Sequence, residues 1–427
     1  MNSIEYLSRD AWRQWHTELL QSSVNRAYGR VSFYRKIMDE QGVTPEMIRE
    51  LDDITLLPFT TRNDLAANYP YGLFAVPLRD IVRIHTLRSS QRHPVVTGCT
   101  RQDIEHRKQL AIRFLDVCGV TQDDIVQICL DPGMSVLGDA IREAAEAMEA
   151  LVIPTDPLSA SERLDVMSDF RTTVLVTTPT YAMHLLFLVG QKAVPPVSLN
   201  LKKGIMLGET LDEEIRMKLE DGFGMEVRAA YGIMEATGPG MAYECEHKNG
   251  LHLAMDHVIP EIIDPDTGRA VPEGREGELV ITTVWNRSNP LIRFRTGDMT
   301  SLETSLCPCG RTTWRIAPIS GRCDNLVTVR GVKISPEKVK AVIKGASSGR
   351  ELPFVVMLDE RNRLVDIELH VAMDSEAFSG SLPQLHDWVR AVENCFEETI
   401  GVSCRVKPVE LRSIQKWLDE GKLFVWS

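Results

Sequence analysis

Apolar and polar positions divide the chain into three kinds of pattern. Between about Ser8 and Gln41, Trp12, Trp15, Leu19 and Val24 recur near one face at helical spacing, which predicts amphipathic helices. Pro58 to Pro77 is broken by prolines and asparagines and predicts loops with short helices. From Asp124 short β-rich runs alternate with helical ones. Strands are predicted over Ile125–Cys129, Ala150–Pro154, Thr172–Thr178, Lys203–Leu207 and Val227–Tyr231. Helices are predicted over Asp139–Ala150, Ser161–Phe170, Thr180–Lys192 and Leu211–Glu220. Strand, helix and strand at this spacing mean βαβ units and a largely parallel sheet, an α/β fold. Ligands of such sheets gather at the carboxyl ends of the strands, so Tyr231-Gly232-Ile233-Met234-Glu235 is a candidate site on topology alone.

After Leu251 the long helices stop. Ile259–Asp264, Glu278–Trp285 and Pro290–Arg295 read as strands joined by turns such as Asp264-Pro265-Asp266-Thr267-Gly268, which predicts an antiparallel β subdomain. A boundary is expected around Gly321-Arg322-Cys323-Asp324. Beyond it come a strand (Leu326–Val329), a helix (Ser335–Ile343), two strands (Pro353–Leu358 and Val365–Val371), a helix (Leu382–Glu397) and a strand (Cys404–Leu411). This is the pattern of a small α+β domain.

Composition narrows the function classes. The 427 residues, 43% hydrophobic and 25% charged, suit a folded chain of two or three domains. The 60 acidic against 48 basic side chains leave a formal charge of −12, which gives no general attraction to nucleic acid while allowing local basic pockets for a nucleotide. The most apolar run, Tyr181–Gly190, is about half the ~18 residues a membrane span needs. No basic segment followed by an apolar one opens the chain, and nine scattered cysteines do not suit a disulfide framework. Both point to a cytoplasmic protein.

One cysteine cluster carries chemistry. Cys307-Pro308-Cys309-Gly310 places two thiolates one residue apart, with a glycine to relieve the turn, as one side of a tetrahedral zinc site. Cys245 and His252 complete a Cys₃His set. His247 is a nearer alternative and His257 a more distant one. Four protein ligands leave no open position, so the expected role is structural.

Tyr231-Gly232-x-x-Glu235, Arg293-Phe294-Arg295-Thr296-Gly297-Asp298, Gly321-Arg322-x-Asp324 and Arg330-Gly331 occur in an order and spacing that resemble the acyl-adenylate-forming enzymes. Ala27-Tyr28, Leu57-Pro58-Phe59-Thr60-Thr61, Tyr71 to Pro77 and Gly238-Pro239-Gly240 before Glu244-Cys245 resemble the phenylacetate–CoA ligase branch, which carries a similar cysteine–histidine set. The resemblance implies residues 1–80 as the helical N-terminal part of a large domain, 81–322 as its acyl- and nucleotide-binding body, and 323–427 as a small mobile C-terminal domain. It implies a carboxylic acid joined to ATP as acyl-AMP, then passed to CoA or the phosphopantetheine of an acyl carrier protein, in a chain that resembles homodimeric enzymes.

It also implies roles. Glu235 binds Mg²⁺ between phosphates; from the residues alone, a helix N-terminal carboxylate is the other reading. Tyr231 stacks on adenine beside Gly232, and Asp298 accepts from both ribose hydroxyls. Arg322 contacts ribose and phosphate, Asp324 is the hinge, and Lys422 is the adenylation lysine. Gly208, Glu209, Tyr181, Met134, Ser135, Met234 and Gly238 line the acid cleft.

The chain departs from the resemblance in three places. Where a glycine-rich phosphate loop ending in Lys-Pro is expected, it reads Thr86-Leu87-Arg88-Ser89-Ser90-Gln91-Arg92-His93-Pro94, with no glycine or lysine. Met234 replaces a hydroxyl residue that contacts the α-phosphate. Leu130 to Gly138 lacks the usual aromatic pocket segment, which points to an acid other than phenylacetate. The first two departures keep two alternatives open beside the ligase: an ATP-independent acyltransferase using a preformed acyl-CoA or acyl-AMP, and a silent binding homologue.

Overall fold

The computed structural model describes residues 3–87, 93–130, 134–154, 158–192, 199–324, 326–329, 332–347, 349–359, 366–373, 382–419 and 424–426. By its contacts the chain divides into two compact units: residues 1–179 with 193–323, and residues 180–192 with 324–427.

The first unit opens with α1 (Arg9–Arg30), capped by the Ser8 hydroxyl, and α2 (Ser32–Glu40). Trp12 and Val24 are buried, and Trp15 and Leu19 pack at the edge of the same core, as the helical spacing requires. A short α3 (Arg62–Ala67) follows, with a Thr61–Asp64 capping box. A hairpin, β1 (Ile81–Leu87) and β2 (Val95–Thr100), leads into α4 (Arg101–Val117). The sequence pattern does not announce these last three elements. In α4 the buried stripe Leu110, Ala111, Phe114 and Leu115 is shared with Arg107 and Arg113, which are buried because each finds an acceptor.

The βαβ region runs β3 (Ile125–Cys129), α5 (Ser135–Ala147), β4 (Leu151–Ile153), α6 (Ala160–Asp169), β5 (Val174–Thr177), α7 (Pro179–Lys192), β6 (Lys203–Met206), α8 (Glu213–Phe223) and β7 (Glu226–Tyr231). The strands lie parallel in the order β4-β3-β5-β6-β7. The central strands β3, β5 and β6 are buried on both faces and read as mostly apolar runs rather than alternating ones. Residues 180–192 of α7 group with the second unit.

Then come β8 (Ala242–Tyr243), β9 (Leu251–Leu253), β10 (Val258–Ile263), β11 (Gly277–Thr283), β12 (Phe294–Thr300), β13 (Leu302–Glu303), β14 (Arg315–Ile316) and β15 (Gly321–Arg322). Strands β8, β9, β14 and β13 extend the large sheet in antiparallel fashion, and β10-β11-β12-β15 form a separate antiparallel sheet. The strand expected over Pro290–Arg295 instead starts at Phe294. Before it, Leu291 and Arg293 donate their backbone N–H to the Thr283 and Thr282 hydroxyls, and Arg293 adopts φ +44°, so no regular ladder forms there.

The second unit holds the hairpin β16 (Val327–Val329) and β17 (Val332–Ile334), then α9 (Pro336–Ala346), β18 (Phe354–Asp359), β19 (Asp366–Ala372), α10 (Leu382–Ile400), β20 (Arg405–Val409), α11 (Leu411–Asp419) and β21 (Phe424–Trp426). Its sheet runs β20-β19-β18-β21, and α9 and α10 bury Val339, Val342, Val392 and Phe396 in a core with Val356 and Leu369. Helix α11 and β21 are additional to the expected elements. No described helix is long and apolar enough to cross a membrane.

Candidate active site

The site candidate lies where β7 ends. Past Tyr231 the chain makes turns over 234–237, with no helix, so Glu235 is not a helix N-terminal carboxylate. The loop folds tightly on itself: a β-carbon on Gly232 would stand 2.0 Å from the Gly238 carbonyl oxygen. Arg107 from α4 and Asn286 both donate to the Ala236 carbonyl, at 2.9 and 3.1 Å, and hold the loop from outside.

Asp298 does not end its strand; it sits inside β12 at a bulge. The pairing of β11 with β12 shifts register between Glu278 and Val280, and Gly297 takes φ +78° there, a conformation that favours glycine. Bulges re-aim side chains, and here Asp298 turns towards Tyr231 and Arg322. The Tyr231 hydroxyl donates to Asp298 Oδ2 at 2.6 Å. Arg322 stands directly opposite Asp298 on β15, donates to its Oδ1, and donates to the Thr296 carbonyl at 2.9 Å. Desolvation, and then the Asp298 carboxylate, push the Tyr231 phenol well above its ordinary range, so it stays a donor.

Glu235 is buried and meets Arg62, the first residue of α3. Arg62 Nε donates to Oε1 at 2.8 Å, and Nη2 lies 2.6 Å from the same oxygen. Arg62 joins the candidate site through Glu235, and the sequence signals it only by its place just after Thr60-Thr61. Arg293, at the head of the Arg-Phe-Arg-Thr-Gly-Asp motif, is structural. It pairs with Glu261 at 2.8 Å, donates to the Thr55 and Leu57 carbonyls, and lies 4.0 Å from the centre of the Phe59 ring.

The remaining positions fall as follows. Met134 is buried, and its methyl group fills the space beside Gly208, which precedes half-buried Glu209. Ser135 begins α5. Met234 packs against two apolar clusters of the first unit, which is why a thioether suits it. Gly238 has φ +84°. Tyr181 on α7 and Asp324 belong to the second unit. Lys422, Arg330-Gly331, residues 88–92 of the degenerate loop and 131–133 of the pocket segment lie outside the described residues.

A separate cluster brings Cys245, His252, Cys307 and Cys309 together, their ligand atoms all within 4.8 Å of one another. Cys245 Sγ is 3.7 Å from Cys307 Sγ, and Cys309 Sγ is 3.4 Å from His252 Nε2. Zinc bonds of about 2.3 Å to sulfur and about 2.0 Å to nitrogen make tetrahedron edges of about 3.8 and about 3.5 Å. The observed pair distances are close to those edges. Strand register does the assembly: Tyr243 on β8 and Arg315 on β14 both pair with His252 on β9. His252 Nδ1 meets the Thr313 hydroxyl at 2.9 Å, which orients Nε2 towards the thiols. Burial holds the His252 imidazole down at about 4, hence neutral.

Comparison with known proteins gives a consistent picture. The sequence pattern of the AMP-binding enzyme family matches residues 144–286, and that of the AMP-binding enzyme C-terminal domain matches residues 331–424. The chain is 36% identical over 341 residues to a phenylacetate-coenzyme A ligase of Thermus thermophilus, covering 80% of this chain and 77% of that one. It is 32% identical over 419 residues to one of Aromatoleum evansii (97% and 94%), and 30% identical over 425 residues to one of Escherichia coli K12 (99% and 96%). Among solved structures, a 2-hydroxyisobutyryl-CoA ligase in complex with 2-HIB-AMP and CoA shares the fold. Its TM-score is 0.91 at 22% identity, covering 100% of this chain and 91% of that one.

Proposed function

The chain belongs to the phenylacetate–coenzyme A ligase family of AMP-binding enzymes, and from that premise we propose that it activates a small aryl or arylalkyl carboxylic acid with ATP and delivers it to coenzyme A as a thioester. The observation that carries this reading is the extent of the likeness, 30% identity over 99% of this chain to a named phenylacetate-coenzyme A ligase. The relatives reported above are ligases, and neither the ATP-independent transferase nor the silent homologue draws support from them.

In this reading the substrate carboxylate attacks the α-phosphorus of ATP and pyrophosphate leaves. The coenzyme A sulfur then attacks the acyl carbon, and AMP leaves. Asp298, aimed by the β12 bulge and held by Tyr231 and Arg322, is the acceptor for the ribose hydroxyls. The Tyr231 ring is assigned to adenine, with its hydroxyl on Asp298. Glu235 is the carboxylate for Mg²⁺. Buried Glu235 offers one carboxylate just past the end of β7, and such an ion takes one or two carboxylates and completes its shell with phosphates and water. When bound, the ion supplies charge neutralisation to the triphosphate. Gly208, Glu209 and Met134 are assigned to the acid pocket, Asp324, which opens the C-terminal segment of the second unit, to the hinge, and Lys422 to adenylation.

Cys245, His252, Cys307 and Cys309 are assigned to one structural zinc ion, supported by their spacing and by a neutral, oriented His252. Zinc there would pin the turn after β8 to the β13–β14 connection.

The deciding experiment incubates the protein with Mg²⁺, ATP and a panel of aryl acids, following pyrophosphate release and then acyl-CoA by mass. Acid-dependent pyrophosphate and one thioester per pyrophosphate are expected. Silence with every acid, together with turnover of a preformed aroyl-CoA or aroyl-AMP, removes the ligase reading in favour of acyl transfer.

A further inference from the structure

The Arg62–Glu235 pair makes a prediction of its own. Both side chains are enclosed, at 12% and 5% exposure, and they meet across 173 positions of sequence. Arg62 is held from behind. The Thr61 hydroxyl caps α3 through the Asp64 N–H at 3.2 Å, and Asp64 Oδ2 accepts from the Thr61 N–H at 2.8 Å. Thr60 is tied to the approach to Asp298: its N–H donates to the Arg293 carbonyl at 3.0 Å, and its carbonyl accepts from the Arg295 N–H at 2.9 Å. The guanidinium is also only half spent. Although Nη2 is buried and 2.6 Å from Oε1, it makes no bond of hydrogen-bonding geometry among the described residues.

A metal ion on Glu235 and the guanidinium of Arg62 draw on the same carboxylate charge. Once the ion is bound, Arg62 is left as an enclosed cation without its counter-charge, which is unfavourable unless another anion takes over. The anion that arrives with the ion is the triphosphate, and the planar fork of arginine fits phosphate oxygens in pairs. The stretch that aligns with the phosphate loop has no lysine, and its only cations are Arg88 and Arg92.

We propose that Arg62 is a polyphosphate-binding residue, held in reserve by Glu235 in the nucleotide-free chain and transferred to the β- and γ-phosphates when Mg·ATP enters. This rests on the ligase reading and on Glu235 as the magnesium carboxylate. Arg62 acts at the phosphate end, and the ribose end belongs to Tyr231, Asp298 and Arg322.

The test uses the full chain and the variants Arg62→Gln and Arg62→Lys. Affinities for Mg·ATP and for AMP are measured by calorimetry, alongside thioester formation from preformed aroyl-AMP and CoA. Loss of a charge-assisted hydrogen bond predicts Mg·ATP affinity down about 10- to 100-fold in Arg62→Gln, with partial recovery in Arg62→Lys. AMP affinity and the thioester step should stay within about threefold, because neither involves the two outer phosphates. Arg62→Gln that binds Mg·ATP as the wild type does, or loses AMP as steeply as ATP, overturns the proposal and leaves Arg62 a structural partner of Glu235. Failure of the ligase reading looks different: the wild-type chain itself would bind no Mg·ATP, and both claims would fall.

Discussion

Replacing Gly232 by alanine probes whether the loop after β7 is as closely folded as the coordinates require. The added β-carbon would stand 2.0 Å from the Gly238 oxygen, 2.8 Å from its carbonyl carbon and 3.1 Å from Pro239 Cα, all backbone atoms. Real β-carbons essentially never come within 3.0 Å of such atoms, so the two strands of the loop must separate by at least 3.0 − 2.0 = 1.0 Å. The Ala236 carbonyl is tied to Arg107 and Asn286, so that displacement cannot be absorbed without moving Glu235 or breaking those bonds. Misplacing a reactive arrangement by about 1 Å costs on the order of 100-fold in rate. Overpacking adds about 1–3 kcal/mol of destabilisation. The assay is single-turnover pyrophosphate release with saturating acid, beside a thermal melt of the same preparation. Rate should fall by about two orders of magnitude while the protein stays folded. An alanine variant within about threefold of wild type, with an unshifted melt, would refute the close approach and the argument that positions Glu235.

Three other outcomes follow from the packing. Asp256→Asn strips a buried Arg113 of its bidentate partner, with bonds of 3.0 and 2.9 Å, and should lower stability by about 3–5 kcal/mol in urea denaturation; a loss under about 1 kcal/mol contradicts the pairing. The freshly purified chain should carry one zinc, and Cys307→Ser should lose both the ion and the stabilisation it brings. That stabilisation is about 4 kcal/mol when zinc stands a thousandfold above its dissociation constant; a metal-free wild type with an unchanged melt removes the site. Burial, with the Arg107 and Arg83 charges, holds the His85 imidazole down at about 4 from an ordinary 6.5. Between those values the unfolded chain binds the extra proton, so stability should fall as pH drops through that window. His85→Gln should flatten this part of the curve, and an identical slope in the variant would count against the assignment.

Much of the architecture is written locally. The runs at 125–129, 174–177 and 203–206 are mostly apolar because parallel strands are buried on both faces, and that property is visible without knowing their neighbours. The Cys307–Cys309 knuckle is equally local, since it is a spacing. The hairpin at 81–100 and helix α4 were not legible. Val82 and Ile84 stay exposed on the hairpin, and α4 buries Arg107 and Arg113, so neither segment carries the apolar signature that pattern reading relies on.

What the linear order could not determine is partnership. It offered His247, His252 and His257 for one place. The pairing of β8 with β9 brings His252 to the thiols, while His257 turns to Asp256 at 3.2 Å. It ended the expected strand at Arg295, and a bulge at Gly297, visible only against the facing strand, aims Asp298 inside a strand that runs on to Thr300. It passed over Arg62 entirely, because a surface-type residue at the start of a helix acquires meaning only from a carboxylate 173 positions away. Secondary structure follows from the affinity of each side chain for water and from its local backbone preferences. Which charge meets which depends on distances that exist only once the sheets have closed.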